Sequence, residues 1–371
     1  MIKFLSYIRK LVLSLRKLPA KIWPAFKRFW HKNLWHKIIV VFVAVILVVI
    51  GGMYGVARWY IYSQRNTPLT MGVTFIPDYA SYLGLNPQAT MDALINDLHV
   101  RNFRLVSYWS DIEPAKGHYD FSQLDWEFAK ADDAQAKVTL SIGLRQPRWP
   151  ECHAPNWINT SAPENLWEPQ LKTFMAAVIN RYHNNPALQS YQLENEYFNN
   201  FGQCQNTDRQ RLISEFNLVK KLDPNHSIII SRSNNQPSVP LGQPRPDVIG
   251  MSVYRKVWDG TVTHRYFTYP FPAWYYGFLA GAGKILTGRG SIIHEMQAEP
   301  WPPDGKTIPQ TSLAVQNQTL TAQQLQERFG FARATGIKTV YFWGAEYWYY
   351  RWKIEGDKSV WNAAQQEFQN H

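Results

Sequence analysis

The chain has 371 residues, of which 45% are hydrophobic, 15% aromatic and 18% charged. This composition favours a large buried core and excludes extensive disorder. A net charge of +11 suggests nucleic-acid binding, but residues 1–37 hold ten of the 39 Lys and Arg residues and no Asp or Glu. The rest of the chain has 29 basic and 28 acidic residues, so we expect no nucleic-acid partner.

An uncharged apolar segment, Ile38 to Ala57, predicts one transmembrane helix. At about 1.5 Å per residue it spans a hydrocarbon core of roughly 30 Å. A buried core helix is rarely apolar on every side over this length. A cleaved signal peptide is the stronger alternative, because Gly55-Val56-Ala57 resembles a small-x-small cleavage site. The apolar segment nevertheless exceeds the roughly 7–15 residues of a signal h-region, so an uncleaved signal-anchor is favoured.

The positive charges before this segment predict the orientation of the chain in the cell membrane. We expect a basic cytoplasmic tail at 1–37, a single span at 38–58 and an extracytoplasmic domain at 67–371. Cations and apolar side chains alternate in the tail. The pattern fits amphipathic helices that lie on an anionic leaflet, in which case membrane lipid is a partner of residues 1–58. It fits equally well a charge cluster that only sets the membrane topology and has no further role.

From Thr67 onward, β-rich segments alternate with helical patterns, which predicts an α/β fold and a TIM (β/α)8 barrel. The predicted strands are Met71–Ile76, Phe103–Ser107, Lys137–Ile142, Ser190–Asn195, Ser227–Ser231, Asp247–Val253, Ser291–Met296 and Thr339–Trp343. Helical spacing precedes the last strand and ends at Gly336. Asn206-Thr207-Asp208 is typical of a helix N-terminus.

Two connections depart from the repeating pattern. Four prolines between Ser231 and Asp247 predict that the helix there is short or missing. The aromatic-rich segment 255–289 is long enough to wall the barrel mouth, pack on the barrel or rest on the membrane. The two cysteines, Cys152 and Cys204, are compatible with one disulfide or with two buried thiols.

Carboxyl-bearing motifs stand at the ends of the fourth and seventh predicted strands. They are Glu194-Asn195-Glu196-Tyr197 and His294-Glu295-Met296-Gln297. The carboxyl ends of barrel strands meet at one face, so we expect Glu196 and Glu295 to lie together. Two opposed carboxyl groups are what cleavage of a glycosidic bond requires.

These motifs resemble the clan A glycoside hydrolases, which include cellulase-like and many β-galactosidase families. The likeness extends to the second strand, where Arg104 and Trp109 are followed by Glu113-Pro114, Gly117-His118-Tyr119-Asp120-Phe121 and Leu124-Asp125. It also includes Tyr254 after the sixth strand and Trp343 at the end of the eighth.

The resemblance implies a retaining glycosidase with Glu196 as general acid/base and Glu295 as nucleophile. Arg104 and Tyr254 would orient the nucleophile. Asn195 would bind the sugar 2-hydroxyl, and the Trp343 ring would form the floor of a sugar-binding subsite. Trp109 and Gln297 are also implied as substrate-binding residues, and an oligo- or polysaccharide is the implied substrate. Because Glu196 would face the negative charge of Glu295, we expect its pKa to be raised enough for acid catalysis near neutrality.

Some residues depart from the clan pattern. His294 stands where Thr or Ser is often found, and Glu194, Glu299 and Glu346 are additional carboxyl groups without an implied role. A catalytically silent barrel that binds glycans or a partner protein is the main alternative. A metal-dependent barrel hydrolase is disfavoured by the lack of clustered His and Asp at strand ends, so no metal or cofactor is expected.

Overall fold

The computed structural model describes residues 24, 33–199, 201–203, 206–236 and 238–369. The chain divides into two compact units, Met1–Gly55 and Val56–His371. Nearly all of the predicted tail at 1–37, and with it the amphipathic-helix hypothesis, lies outside the described residues. Pro24 and residues 33–37 are its described part.

The first element is helix α1 (Leu34–Ser63), which begins before the predicted span and ends after it. Among the described residues it is the one helix long and apolar enough to cross a membrane, by length and composition alone. The large apolar side chains at 41–43 and 45–50 are exposed. A signal sequence has the same properties, so the choice between anchor and signal stays a prediction.

The second unit contains a closed barrel of eight parallel strands, which confirms the predicted TIM-barrel fold. The barrel order is β1–β10–β9–β6–β5–β4–β3–β2. Its strands are β1 (Thr70–Thr74), β2 (Asn102–Val106), β3 (Lys137–Ile142), β4 (Leu188–Leu193), β5 (Ser227–Arg232), β6 (Val248–Val253), β9 (Gly290–Gln297) and β10 (Thr339–Trp343). Each predicted strand coincides with an observed one to within two residues at either end.

Helices lie between most of the barrel strands. They are α2 (Pro77–Tyr82), α3 (Pro87–Asn96), α4 (Trp109–Ile112), α5 (Ser122–Asp133), α6 (Glu168–Tyr182), α7 (Arg209–Leu222), α8 (Ala273–Thr287), α9 (Leu313–Gln316), α10 (Ala322–Thr335), α11 (Ala345–Lys353) and α12 (Ser359–Gln369). The Asp208 side chain caps α7 by accepting from the Gln210 amide at 2.7 Å, and Gly336 ends α10 in the left-handed conformation. Both termini are those that the sequence predicts.

The first of the two atypical connections follows the sequence, and the second contains a hairpin and a helix that the sequence did not predict. No helix forms between β5 and β6 in the part of that connection that the structure describes, as its prolines predict. After β6, strands β7 (Lys256–Asp259) and β8 (Arg265–Thr268) pair as an antiparallel hairpin outside the barrel. Helix α8 then leads into β9.

Candidate active site

Glu196 and Glu295 come together at the carboxyl end of the barrel. Glu196 is three residues past β4 and Glu295 is within β9, and their side chains are buried. A carboxyl oxygen of Glu196 lies within 4.8 Å of one of Glu295. The backbone at Glu194 and Glu196 has positive φ angles of 55° and 43°. Non-glycine residues in this region carry backbone strain, which is concentrated at functional sites.

A β-bulge in β9 aims two consecutive side chains at the same site. Ile293 pairs with Met251 of β6 and Glu295 pairs with the next residue, Ser252, so His294 is the extra residue of the bulge. The pairing of β9 with β10 shifts at the same place. Alternation along a regular strand would separate neighbouring side chains, whereas a bulge re-aims one of them. The His294 Nε2 atom consequently lies 3.8 Å from a Glu295 oxygen.

Glu295 is held by two donors, one on each carboxylate oxygen. The Arg104 guanidinium donates to Oε1 at 2.8 Å and the Tyr254 hydroxyl donates to Oε2 at 2.7 Å. Burial, followed by the charge of Glu295, raises the pKa of Tyr254, so its hydroxyl keeps the proton it donates. These contacts are those that the clan resemblance implies, and they fix the carboxylate in one orientation.

Asn195 is fixed between three side chains. Its Oδ1 accepts from Arg104 and Gln192, each at 3.0 Å, and its Nδ2 donates to Glu151 at 3.0 Å. The two donors on Oδ1 orient the amide so that Nδ2 faces the loop after β3. An amide nitrogen has two hydrogens, and the contact with Glu151 uses one of them.

Glu196 has an environment different from that of Glu295. Its Oε1 accepts from the Ser252 hydroxyl, and its Oε2 accepts from Asn199 Nδ2 at 3.2 Å. Burial, and then the negative charge of Glu295, raise the pKa of Glu196 to about 7. The pKa of Glu196 is thus shifted in the predicted direction, and burial contributes more to the shift than the charge of Glu295.

Glu151 is a third carboxyl group near the site, and the sequence reasoning missed it. It is buried, and burial raises its pKa well above the usual range, with further contributions from the charges of Glu295 and Glu196.

The next residue, Cys152, is disulfide-bonded, which agrees with the disulfide alternative. Cys204, the other cysteine of the sequence, lies outside the described residues.

Trp343 is near the site but engaged with other side chains. Its indole donates to Glu299 at 2.9 Å, and the Arg148 guanidinium lies over its ring at 4.4 Å. Arg148 also pairs with both Glu299 oxygens at 3.2 Å. Gly344, at φ 99°, leaves room for this cluster, because a Cβ there would be 2.3 Å from Glu299 Cβ. Glu299 is thus an ion-pair residue at the barrel mouth.

Two predicted substrate-binding residues are not brought to open surface. Trp109 is fully buried, where it stacks on Phe174 and donates to Glu113 at 2.7 Å. Gln297 is also fully buried, and its amide bonds the backbone of Arg255 and Lys256. Both residues therefore support the structure around the site, and the substrate contacts that the resemblance implies for them stay a prediction.

The remaining additional carboxyl groups are held by other partners. Glu194 is buried against Arg211 at 3.0 Å and accepts from the backbone amides of Leu144 and Arg145. Glu346 accepts from the Ile76 amide at 2.6 Å, and burial raises its pKa to about 7. These contacts give both residues structural roles.

One group of His and acidic side chains among the described residues is compact enough to hold a metal ion. It consists of Glu196, His294 and Glu295, with donor atoms within 4.8 Å of one another. Both oxygens of Glu295 are already engaged by Arg104 and Tyr254. A bound cation would stand beside the positive charge of Arg104, so the donor set fits a metal poorly. The expectation of a metal-free site stays a prediction.

Comparison with known proteins agrees with this description. A family model described as β-galactosidase matches residues 89–173, a segment that runs from α3 into α6. No curated protein sequence matches the chain significantly. An exo-β-1,4-mannosidase from Opitutaceae bacterium strain TAV5 superposes with a TM-score of 0.53 at 15% identity, covering 81% of this chain and 60% of the mannosidase.

Two further solved structures are similar. A family 10 endo-β-1,4-xylanase from Gloeophyllum trabeum gives a TM-score of 0.52 at 15% identity over 81% of this chain and 96% of the xylanase. Endo-glycoceramidase II from Rhodococcus sp. gives 0.47 at 15% identity over 74% and 73%. The mannosidase and the xylanase show the same barrel fold. The barrel fold and the β-galactosidase model over residues 89–173 agree with the predicted resemblance to the clan A TIM-barrel glycosidases.

Proposed function

We propose that the protein is a membrane-anchored, retaining β-glycosidase that cleaves glycans outside the membrane. The observation that carries the proposal is the pair Glu196 and Glu295, two buried side chains at the carboxyl face of the barrel, each with a carboxyl oxygen within 4.8 Å of one on the other. A retaining pair stands at about 5–5.5 Å, whereas an inverting pair needs about 6.5–9.5 Å to admit a water molecule. The short spacing supports retention.

The two environments divide the chemical roles. Glu295, oriented by Arg104 and Tyr254, attacks the anomeric carbon, and the glycosidic bond breaks as Glu196 protonates the leaving oxygen. A water molecule then attacks the glycosyl–Glu295 ester while Glu196 takes its proton, and the free carboxylate is restored. A pKa of about 7 for Glu196 suits a group that must give a proton in one step and take one in the next.

The substrate class follows from the comparisons and from the site. The matched family is a β-galactosidase family, and the mannosidase and xylanase are named for β-1,4 linkages. A β-linked oligo- or polysaccharide is therefore the proposed substrate, with Asn195 at the sugar 2-hydroxyl. Arg148 at the mouth is already paired with Glu299, which favours an uncharged sugar over an anionic one there.

Helix α1 supports the proposed anchoring. Its exposed apolar side chains need a non-aqueous surrounding, and the basic residues on its N-terminal side favour a cytoplasmic N-terminus. Domain boundaries at 1–37, 38–58 and 67–371 are part of the proposal. Protease added to intact spheroplasts should digest the barrel and spare the tail. Protection of the barrel in spheroplasts, with digestion after lysis, would contradict this orientation.

Activity is tested with the full-length protein in detergent on a panel of aryl β-glycosides. We expect the wild type to cleave at least one of them with retention, read by NMR as the first-formed anomer, and Glu295→Gln to be inactive. Glu327→Gln, on the exposed surface of α10, serves as the matched control and should equal the wild type. Binding without cleavage across the panel would indicate the silent glycan-binding barrel instead.

A further inference from the structure

Ser252 connects the bulged His294 with Glu196. The Ser252 hydroxyl donates to Glu196 Oε1, and its oxygen lies 3.3 Å from His294 Nε2. All three side chains are buried. Gly250, on the neighbouring strand, makes room for the imidazole, because a Cβ there would be 3.2 Å from His294 Nδ1. The imidazole is thus fitted behind the carboxyl pair, and the proposed mechanism leaves it without a role.

A serine hydroxyl has one proton but can turn it toward either neighbour. When Glu196 is ionised, the Ser252 proton points to the carboxylate. When Glu196 is protonated, the carboxyl O–H donates to Ser252 Oγ, and the serine proton turns to His294 Nε2. Burial, followed by the charge of Arg104, lowers the pKa of His294, so the ring stays neutral and can accept at Nε2.

We propose that Ser252 and His294 are positioning residues that give Glu196 a hydrogen-bond partner in both of its protonation states. The inference rests on the proposed function, in which Glu196 acts first as acid and then as base. A buried carboxyl group without an alternating partner would lose a hydrogen bond in one of the two half-reactions. The bulge in β9 is what brings the acceptor, His294, to the serine.

Other ionisable groups surround the pair and stay in place when either residue is changed. The charge of Glu295 on β9 acts on Glu196. The charge of Glu196 in turn acts on Glu151 from the loop after β3, Tyr254 after β6 and Tyr269 after β8. Arg104 of β2 faces His294. A difference between variants therefore reports on the Ser252–His294 pair itself.

The test is the pH profile of kcat/KM for the full-length protein in detergent, on the aryl β-glycoside that the wild type cleaves fastest. Its alkaline limb reports the pKa of Glu196, which must be protonated to act as acid. Ser252→Ala removes the donor to the ionised carboxylate, which raises the pKa of Glu196, so the alkaline limb should move to higher pH. His294→Leu removes the acceptor that stabilises the protonated state, which lowers the pKa of Glu196, so the alkaline limb should move to lower pH. Each shift should be about one pH unit or less, the size of one hydrogen bond.

Conservative variants separate positioning from packing. His294→Gln offers an amide oxygen as acceptor and should restore most of the wild-type limb. Ser291→Ala, also on β9, is the matched control and should leave the limb unchanged, since its hydroxyl has no hydrogen-bond partner among the described residues. If His294→Leu does not fold, the Ser252→Ala variant tests the inference, which requires its alkaline limb to move to higher pH.

Shifts in one direction for both variants, no shift, or failure of His294→Gln to restore the limb would overturn the inference. These outcomes differ from a failure of the proposed function, which would appear as a wild type that cleaves no glycoside. In that case the inference falls with the proposal on which it rests.

Discussion

Replacing Glu196 by Gln should make the stability of the protein less sensitive to pH. Glu196 has a usual pKa of 4.5 that rises to about 7 in the folded chain, first because it is buried and then because of the charge of Glu295. Between these two values the folded state binds more protons at this group than the unfolded state. The free energy of unfolding therefore falls as pH rises from 4.5 to about 7, and the loss is complete above the folded pKa.

The size of the effect follows from the shift. Each pKa unit corresponds to about 1.36 kcal/mol, so the ionised Glu196 lowers the stability at pH 8 by roughly 3 kcal/mol relative to pH 4. Gln has nearly the same shape and does not ionise. Relative to the wild type, Glu196→Gln should therefore gain roughly 3 kcal/mol, or several degrees in Tm, between these pH values.

Thermal unfolding of the full-length protein in detergent at pH 4, 6 and 8 measures this gain. Other groups with raised pKa values, such as Glu346, titrate in both proteins and cancel in the difference. Ser291→Ala, which changes no ionisable group, should differ from the wild type by a constant amount at every pH. A constant difference for Glu196→Gln as well would refute the raised pKa and, with it, the argument that Glu196 is an acid near neutrality.

Three other changes have defined outcomes. Tyr254→Phe removes a donor to Glu295 and should lower kcat/KM on the order of ten- to hundredfold, the effect of one hydrogen bond to a charged group, with Tm nearly unchanged. Glu151→Gln should keep kcat/KM within about threefold of the wild type, because an amide oxygen can still accept from Asn195. Glu151→Ala should lower kcat/KM about tenfold. Equal losses in the two variants would contradict this role of Glu151. Dialysis against EDTA should leave the rate of aryl glycoside cleavage unchanged, and restoration of a lost rate by a divalent metal would show that the Glu196, His294 and Glu295 group binds one.

The barrel could be predicted because its strands are short apolar segments bounded by turn and cap residues. The strand ends placed the two carboxyl-bearing motifs at one face, and the clan resemblance selected Glu196 and Glu295 within them. Glu151 could not be found in this way. It lies in the loop after β3 and reaches Asn195 only through the path of that loop, whose backbone departs from regular structure at Arg148 and Glu151, both with positive φ.

Other departures come from local geometry that a strand pattern does not record. The bulge at His294 turns inward a side chain that alternation would place outside. Trp109 follows β2 as the clan pattern requires, but it lies in the short helix α4, from which it packs into the core. Gln297 extends β9 by one residue beyond the predicted end, and its amide bonds the backbone of Arg255 and Lys256, where the chain enters β7.

The central claim is that Glu295 is the nucleophile and forms a covalent glycosyl intermediate. The most direct measurement uses a 2-deoxy-2-fluoro aryl glycoside matched to the best substrate, followed by proteolysis and mass spectrometry of the labelled peptide. Fluorine slows the breakdown of the intermediate more than it slows release of a good leaving group, so the ester accumulates. The account predicts one label per chain, on Glu295, and no label in Glu295→Gln. Label on Glu299, Glu194 or Glu151, or an inverted product anomer, would contradict it.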